Sequence, residues 1–238
     1  MTVRPFRVAL SASFRKPDGS MTYPSFDLSP LTAASGIETR FLSHEDPIRA
    51  HELEDIDALI LLSERFTKDS IPASGKLSVI ARFGVGFDTV DVEACTQNDI
   101  AVCITPDGVR RPVAVSILTL MLALTGKLLI KDRITRQGPD GFAKRDEQMG
   151  LGLVGRMLGS VGIGNIGAEM FRLAAPLGMK FIAHDPFADL SLAAELGVDL
   201  VDLDTVFAQS DVISINCPLT PHTHHLVNAT RLSQMKPT

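Results

Sequence analysis

Residues 162–167, Gly-Ile-Gly-Asn-Ile-Gly, follow a short apolar run and open a stretch of helical periodicity; no other feature of this chain restricts its fold as much. Upstream, Met157–Val161 reads as a strand. Downstream, Ile166, Met170, Leu173, Ala174 and Leu177 recur at helical spacing until Gly178 stops the series. A strand, a glycine turn and a helix in this order begin a parallel βαβ unit, in which the helix N-terminus faces phosphate charge. Gly162 is expected to permit the tight turn, Gly164 to let backbone N–H groups approach a pyrophosphate, and Gly167 to let helix and strand close up. The next apolar run, residues 180–185, ends in Asp185. A carboxylate there accepts hydrogen bonds from the ribose hydroxyls and repels a 2′-phosphate, so NAD is expected over NADP. The competing reading is an ordinary βαβ unit without a ligand.

The 238 residues suffice for two domains. A net charge of −5 argues against a nucleic-acid partner held by phosphate neutralisation. Cys95, Cys103 and Cys217 show no Cys-x-x-Cys spacing and lie in apolar contexts. They read as buried thiols in a reducing compartment, hence a cytoplasmic location is expected. The longest apolar run, residues 113–130, is broken by Ser116, Thr119, Thr125, Gly126 and Lys127 and reads as a buried helix rather than a membrane span. No hydrophobic signal core follows Met1, so neither a secretion signal nor a membrane partner is expected.

Before the glycine turn, residues 6–10, 37–42, 58–62, 77–83 and 100–104 are short strand-like runs separated by polar helical or loop stretches, which implies a mostly parallel sheet covered on both faces. Residues 11–29, rich in serine and broken by Pro17, Gly19 and Pro24, read as a long, solvated loop. Pro112 is taken as the start of a long helix. The expected domains are therefore residues 1–111, a spanning helix 112–131, and residues 132–238. After Asp185, helices near 190–196 and 203–210 alternate with strands 198–201 and 212–218, and a last turn covers 229–235.

In their joint order, several segments resemble the D-isomer-specific 2-hydroxyacid dehydrogenases. These are Ile-Ala-Arg-Phe-Gly-Val-Gly-Phe-Asp-Thr-Val-Asp at 80–91, Val-Cys-Ile-Thr-Pro at 102–106, the turn at 162–167, His184-Asp185-Pro186, and Asn-Cys-Pro-Leu-Thr-Pro-His-Thr at 216–223. The resemblance extends from about residue 50 onward. It implies two doubly wound parallel-sheet α/β domains, a flavodoxin-like substrate domain and a Rossmann NAD-binding domain, the second incomplete, with the active site in the cleft between them. It implies NAD as cofactor, a small 2-hydroxy or 2-keto acid as substrate, and a homodimer. Carried over by residue, the backbone of Gly164, Asn165 and Ile166 would hold the pyrophosphate and Asp185 the ribose. Pro186, Cys217, Pro218 and Thr223 would line the cofactor. Val85 and Gly86 would direct backbone N–H groups at the substrate carboxylate, a glycine-flanked loop being able to turn successive donors toward one anion.

One departure is minor: Val115 stands where the family usually has a glutamate. The other is not. The family's catalytic arginine follows a Met-Lys-Pro turn, with its glutamate and histidine later still, and Met235-Lys236-Pro237 leaves one residue. No catalytic residue is therefore assigned; the chain is expected to be C-terminally truncated and itself inactive. His222, His224 and His225 read as a polar surface loop rather than a metal site, so no metal is expected. Arg110 and Arg111 could attract an anion, but a salt bridge is the preferred role. Short-chain dehydrogenase chemistry is rejected because the single tyrosine, Tyr23, lacks a lysine four residues on. The open alternative is a non-catalytic NAD-binding sensor or corepressor-like module.

Overall fold

A computed structural model describes residues 4–237. The chain divides after Pro106 into two compact units. In the first, β1 (Phe6–Leu10), β2 (Ile37–Phe41), β3 (Ala58–Leu61), β4 (Val79–Arg82) and β5 (Ala101–Cys103) form a parallel sheet in the order β2-β1-β3-β4-β5. This is the flavodoxin-like order, in which ligands bind outside the carboxyl ends of the strands where the order reverses, at β1 and β3. The short helices α1 (Ser29–Thr32) and α2 (Val92–Gln97) belong to this unit; the Asp91 side chain caps α2 by accepting from Ala94 N–H. Leu59, Leu61, Phe66 and Ile80 are fully buried, each contributing about 1.5–3 kcal/mol relative to exposure.

The segment after β1 is not the solvated excursion expected from its composition. Phe14 is fully buried. Ser13 donates to the buried Glu64 from N–H at 2.7 Å and from Oγ at 2.8 Å, and Thr22 Oγ1 donates to Ser13 O at 2.7 Å. One buried ring and one buried carboxylate anchor a stretch that is polar on average. Burial pushes the Glu64 carboxyl up, but hydrogen bonds from Ser11 and Ser13 outweigh it and hold it below the usual glutamate range. A depressed folded-state pKa means that its stabilisation is present above the unfolded value and lost as pH falls through the folded one. Thermal melting is expected to drop on acidification below about pH 4.5, and Glu64→Gln should flatten part of that drop; identical pH profiles of the two proteins would show that Glu64 has no such role.

In the second unit α3 (Pro106–Thr125), α4 (Leu128–Thr135) and α5 (Pro139–Phe142) precede β6 (Met157–Val161), α6 (Asn165–Ala174), β7 (Lys180–His184), α7 (Leu190–Glu195), β8 (Val198–Leu200), α8 (Leu203–Gln209), β9 (Val212–Ile215) and α9 (Ala229–Gln234). The sheet order β8-β7-β6-β9 is the 3-2-1-4 part of the Rossmann order, all parallel. Among the described residues β9 has a neighbour on one side only, and no fifth or sixth strand is found.

Three expectations need correction. The long helix starts at Pro106, not Pro112, so all but its first residue belongs to the second unit; either proline can occupy a first turn, and Pro112 is accommodated inside the helix. Nor is the helix buried. By length and composition it could cross a membrane, yet Ala114 and Met121, with Ile117 and Leu118, pack into the core of the second unit. Leu120 (65 % exposed) and Leu124 (75 %) stay largely uncovered among the described residues, because apolarity alone does not tell which face finds the core. Finally, Cys95 is buried but Cys103 is exposed, since β5 is the edge strand.

Candidate functional site

The glycine turn connects β6 to α6, and its three glycines occupy three different environments. Gly162 has φ +97°, and a Cβ there would stand 2.9 Å from the carbonyl carbon of Asn216. A Cβ on Gly167 would stand 2.4 Å from Gly162 O. A Cβ on Gly164 would meet no heavy atom within 4 Å. Gly162 and Gly167 are thus demanded by the protein's own packing, whereas the space at Gly164 is open. Gly164 is the N-cap of α6 and supplies no capping side chain, so the first N–H groups of the helix, from Asn165 and Ile166 onward, carry the positive end of the dipole without a side-chain acceptor. The helix holds because Ala168, Met170, Phe171 and Ala174 bury one face, and it ends through the turn Ala175–Leu177 and Gly178 at φ +69°.

Asp185 follows β7 at half exposure. Its Oδ2 accepts from Ile163 N–H at 3.0 Å and its Oδ1 from Phe187 N–H at 2.9 Å, so the carboxylate is tied to the glycine turn before any ligand arrives. Both border a cavity of about 430 Å³. Gly162, Gly164, Asp185, Pro186, Cys217, Pro218 and Thr223 line it, while Asn165, Ile166 and Gly167, in the first turn of α6, are not part of its lining. Burial raises the Cys217 thiol pKa against a backbone hydrogen bond that lowers it, and the Asp185 charge adds to the rise.

Sequence reasoning missed what fixes the wall opposite. Asn216 Nδ2 donates to the fully buried Ser160 Oγ at 2.9 Å, and Ser160 Oγ donates to Gly162 O at 2.6 Å. The end of β9 is thereby latched to the glycine turn. Thr223 Oγ1 accepts from Thr220 N–H at 2.8 Å and donates to Pro218 O at 2.6 Å, closing the loop beyond β9. His222, read from the sequence as part of a surface loop, lines the cavity together with Phe187, Leu203 and Leu226. The asparagine beside Cys217 was the available signal for the latch; nothing in the sequence pointed to Leu203. Among the described residues no group of three or more His, Cys, Asp or Glu side chains gathers as a metal would require.

In the first unit, Val85 and Gly86 lie in the loop after β4, at the carboxyl end of the sheet. Gly84, at φ +141°, bonds in both directions with Thr105: its N–H donates to Thr105 Oγ1 and its carbonyl accepts from Thr105 N–H, each at 2.9 Å. The N–H groups of Val85 and Gly86 have no acceptor among the described residues. Arg82 is a local structural cation, donating from Nη1 to Phe83 O at 2.8 Å. Arg110 pairs with Asp107 at 3.3 Å, and Arg111 with the buried Glu169 on α6 at 2.5 Å. That hydrogen bond from Arg111 holds the Glu169 carboxyl below its usual range. Both arginines therefore take the salt-bridge role.

The catalytic-domain model of the D-isomer specific 2-hydroxyacid dehydrogenases matches residues 29–117, and their NAD binding domain model matches residues 118–238. The chain belongs to this family. It is 36 % identical over 185 residues to a D-3-phosphoglycerate dehydrogenase of Synechocystis sp., covering 77 % of this chain and 33 % of that protein. It is 37 % identical over 185 residues to a hydroxypyruvate reductase of Thermotoga maritima, covering 77 % and 58 %. The chain thus spans about a third to somewhat over half of the curated relatives it matches. Among solved structures it resembles a holo D-mandelate dehydrogenase of Rhodotorula graminis, with TM-score 0.81, 25 % identity, and coverage of 99 % of this chain and 72 % of that one. It also resembles a D-lactate dehydrogenase of Aquifex aeolicus complexed with NAD and lactic acid, with TM-score 0.79, 25 % identity, and coverage of 96 % and 66 %. The family places NAD as the cofactor of the second unit, in agreement with its uncapped helix and open Gly164.

Proposed function

We propose that the chain forms the acid-binding and NAD-binding parts of an oxidoreductase acting on the CH–OH group of a small D-2-hydroxy acid, or reducing the 2-keto acid in reverse. The observation that carries this reading is the open space at Gly164, before an uncapped helix N-terminus and beside the half-buried carboxylate of Asp185. NAD, when bound, supplies the hydride acceptor. Backbone N–H groups of Gly164, Asn165 and Ile166 hold the pyrophosphate, and Asp185 takes the ribose. Cys217 and Pro218, with the loop closed by Thr223, bound the rest of the cofactor together with Pro186, which follows Asp185. Val85 and Gly86 donate from N–H to the substrate carboxylate. The matched relatives are named as dehydrogenases and reductases of phosphoglycerate, hydroxypyruvate and glyoxylate, which disfavours the sensor alternative.

For a polypeptide of these 238 residues, the expected result is tight NADH binding without turnover at a rate typical of the family, because the family's arginine, glutamate and histidine come after the Met-Lys-Pro turn. General acid–base groups contribute about 10²–10⁴-fold. Calorimetry with NADH tests the binding, and absence of binding would overturn the reading. Sustained oxidation of NADH with glyoxylate or hydroxypyruvate would mean that other groups of this chain perform the proton transfer.

A homodimer is part of the proposal, supported by the bare Leu120 and Leu124 on α3. Leu120→Lys with Leu124→Lys is expected to shift the sedimenting species toward monomer; an unchanged distribution would move the interface elsewhere. The cytoplasmic assignment rests on the three free cysteines.

A further inference from the structure

We infer that the acid taken by this site carries an apolar substituent of aromatic size on C2, seated against Tyr23, Phe26 and Phe83; this rests on the proposed role of Val85 and Gly86. Phe83 immediately precedes the carboxylate loop. Its ring centroid lies 5.1 Å from Phe26, 5.5 Å from Phe14 and 5.6 Å from Tyr23, and Phe14 stacks on Phe26 at 5.0 Å. Phe14 is fully buried and anchors the group, whereas Phe83 is 37 % and Tyr23 43 % exposed. On the other side of the loop Phe87 is 46 % exposed. Free backbone donors are thus flanked by bare aromatic surface, and C2 of a bound acid is one bond from the carboxylate they would hold.

The cluster is held in place rather than collapsed by chance. Ser13 is pinned to Glu64, and Thr22 to Ser13 O, on either side of the segment that carries Phe14, and Tyr23 follows Thr22 directly. Arg15 lies over the Phe41 ring at 3.7 Å, and Asp27 caps Ser29. The Arg82 guanidinium, beside Gly84, donates from Nη1 to Phe83 O, and its Nε has no partner among the described residues. Lys16 sits in the exposed turn bounded by the Arg15–Met21 bridge. A phosphate or second carboxylate on the substrate would lose water against the negative faces of these rings, whereas an apolar group gains by burial.

Tyr23 is the only tyrosine and the chain has no tryptophan, so its emission reports directly on the cluster. The full chain would be titrated with glycolate, D-3-phosphoglycerate, D-2-hydroxy-4-methylpentanoate and D-3-phenyllactate, by Tyr23 emission and by saturation-transfer NMR. The two apolar acids are expected to bind about tenfold or more tighter than glycolate and to change Tyr23 emission, with D-3-phosphoglycerate weakest. Tyr23→Arg, followed by NMR, should reverse the order of D-phenyllactate and D-3-phosphoglycerate. Phe83→Leu, which keeps an apolar side chain, should lower the preference for the aromatic acid while sparing glycolate. Equal binding of all four acids, or an order untouched by both variants, would overturn the inference alone. If none of the acids binds, the assignment of Val85 and Gly86 falls with it, and an NADH titration of the same protein shows whether the cofactor reading stands.

Discussion

Asp185→Ala is expected to weaken NADH binding by about 1.5–3 kcal/mol, roughly ten- to a hundredfold, the range for hydrogen bonds to a charged group. The ribose hydroxyls would lose an ionised acceptor, whereas the 2′-phosphate of NADPH would lose a repulsive neighbour. The two cofactors should therefore respond unequally, with the NADH preference shrinking. A second effect acts on both. Asp185 also accepts from Ile163 N–H and Phe187 N–H, so its removal loosens the glycine turn that faces the pyrophosphate. NADPH is thus expected to lose a little affinity or to stay level, not to gain strongly. Fluorescence titrations of both cofactors against both proteins decide the matter. Equal losses would mean that Asp185 serves only as a brace for the turn.

That second effect shows where the sequence stops being readable. The local rules were sufficient for β6, whose observed bounds Met157–Val161 coincide with the apolar run, and for β1, because a short apolar run ended by turn residues leaves little freedom. They also brought Gly162, Asp185, Cys217 and Pro218 to one cavity, since strand ends in a doubly wound sheet deliver their loops to one edge. They failed wherever a side chain had several possible partners. A strand was expected to continue to Pro218, but β9 ends at Ile215; Asn216 donates from its backbone to Val161 O and turns its side chain to Ser160. The apolar face of α3 was legible as apolar but not as bare. The aromatic cluster was invisible, because Phe14, Tyr23, Phe26 and Phe83 share no period and meet only once β1 and β4 lie in one sheet.

The three glycines of the turn should separate stability from binding when each is changed to alanine. Gly162→Ala places a methyl 2.9 Å from the Asn216 carbonyl carbon at φ +97°, a conformation that L residues rarely adopt. Backbone strain of about 1–3 kcal/mol adds to overpacking of similar size, so a loss of about 2–6 kcal/mol is expected. Gly167→Ala drives its methyl to 2.4 Å from Gly162 O, and a backbone oxygen latched by Ser160 cannot swing aside as a side-chain tip would. A loss of about 1–3 kcal/mol or more follows. Gly164→Ala meets no atom of the protein and has φ −66°, so its melting temperature should stay within the scatter of a neutral surface change, about 0.5 kcal/mol. Its methyl instead enters the space through which a pyrophosphate must reach the first N–H groups of α6, and NADH affinity should fall about tenfold or more. Thermal melts and NADH titrations on the three variants separate the cases. The assignment of that open space to the cofactor fails if Gly164→Ala binds NADH as the parent does, or if it is destabilised as much as Gly162→Ala.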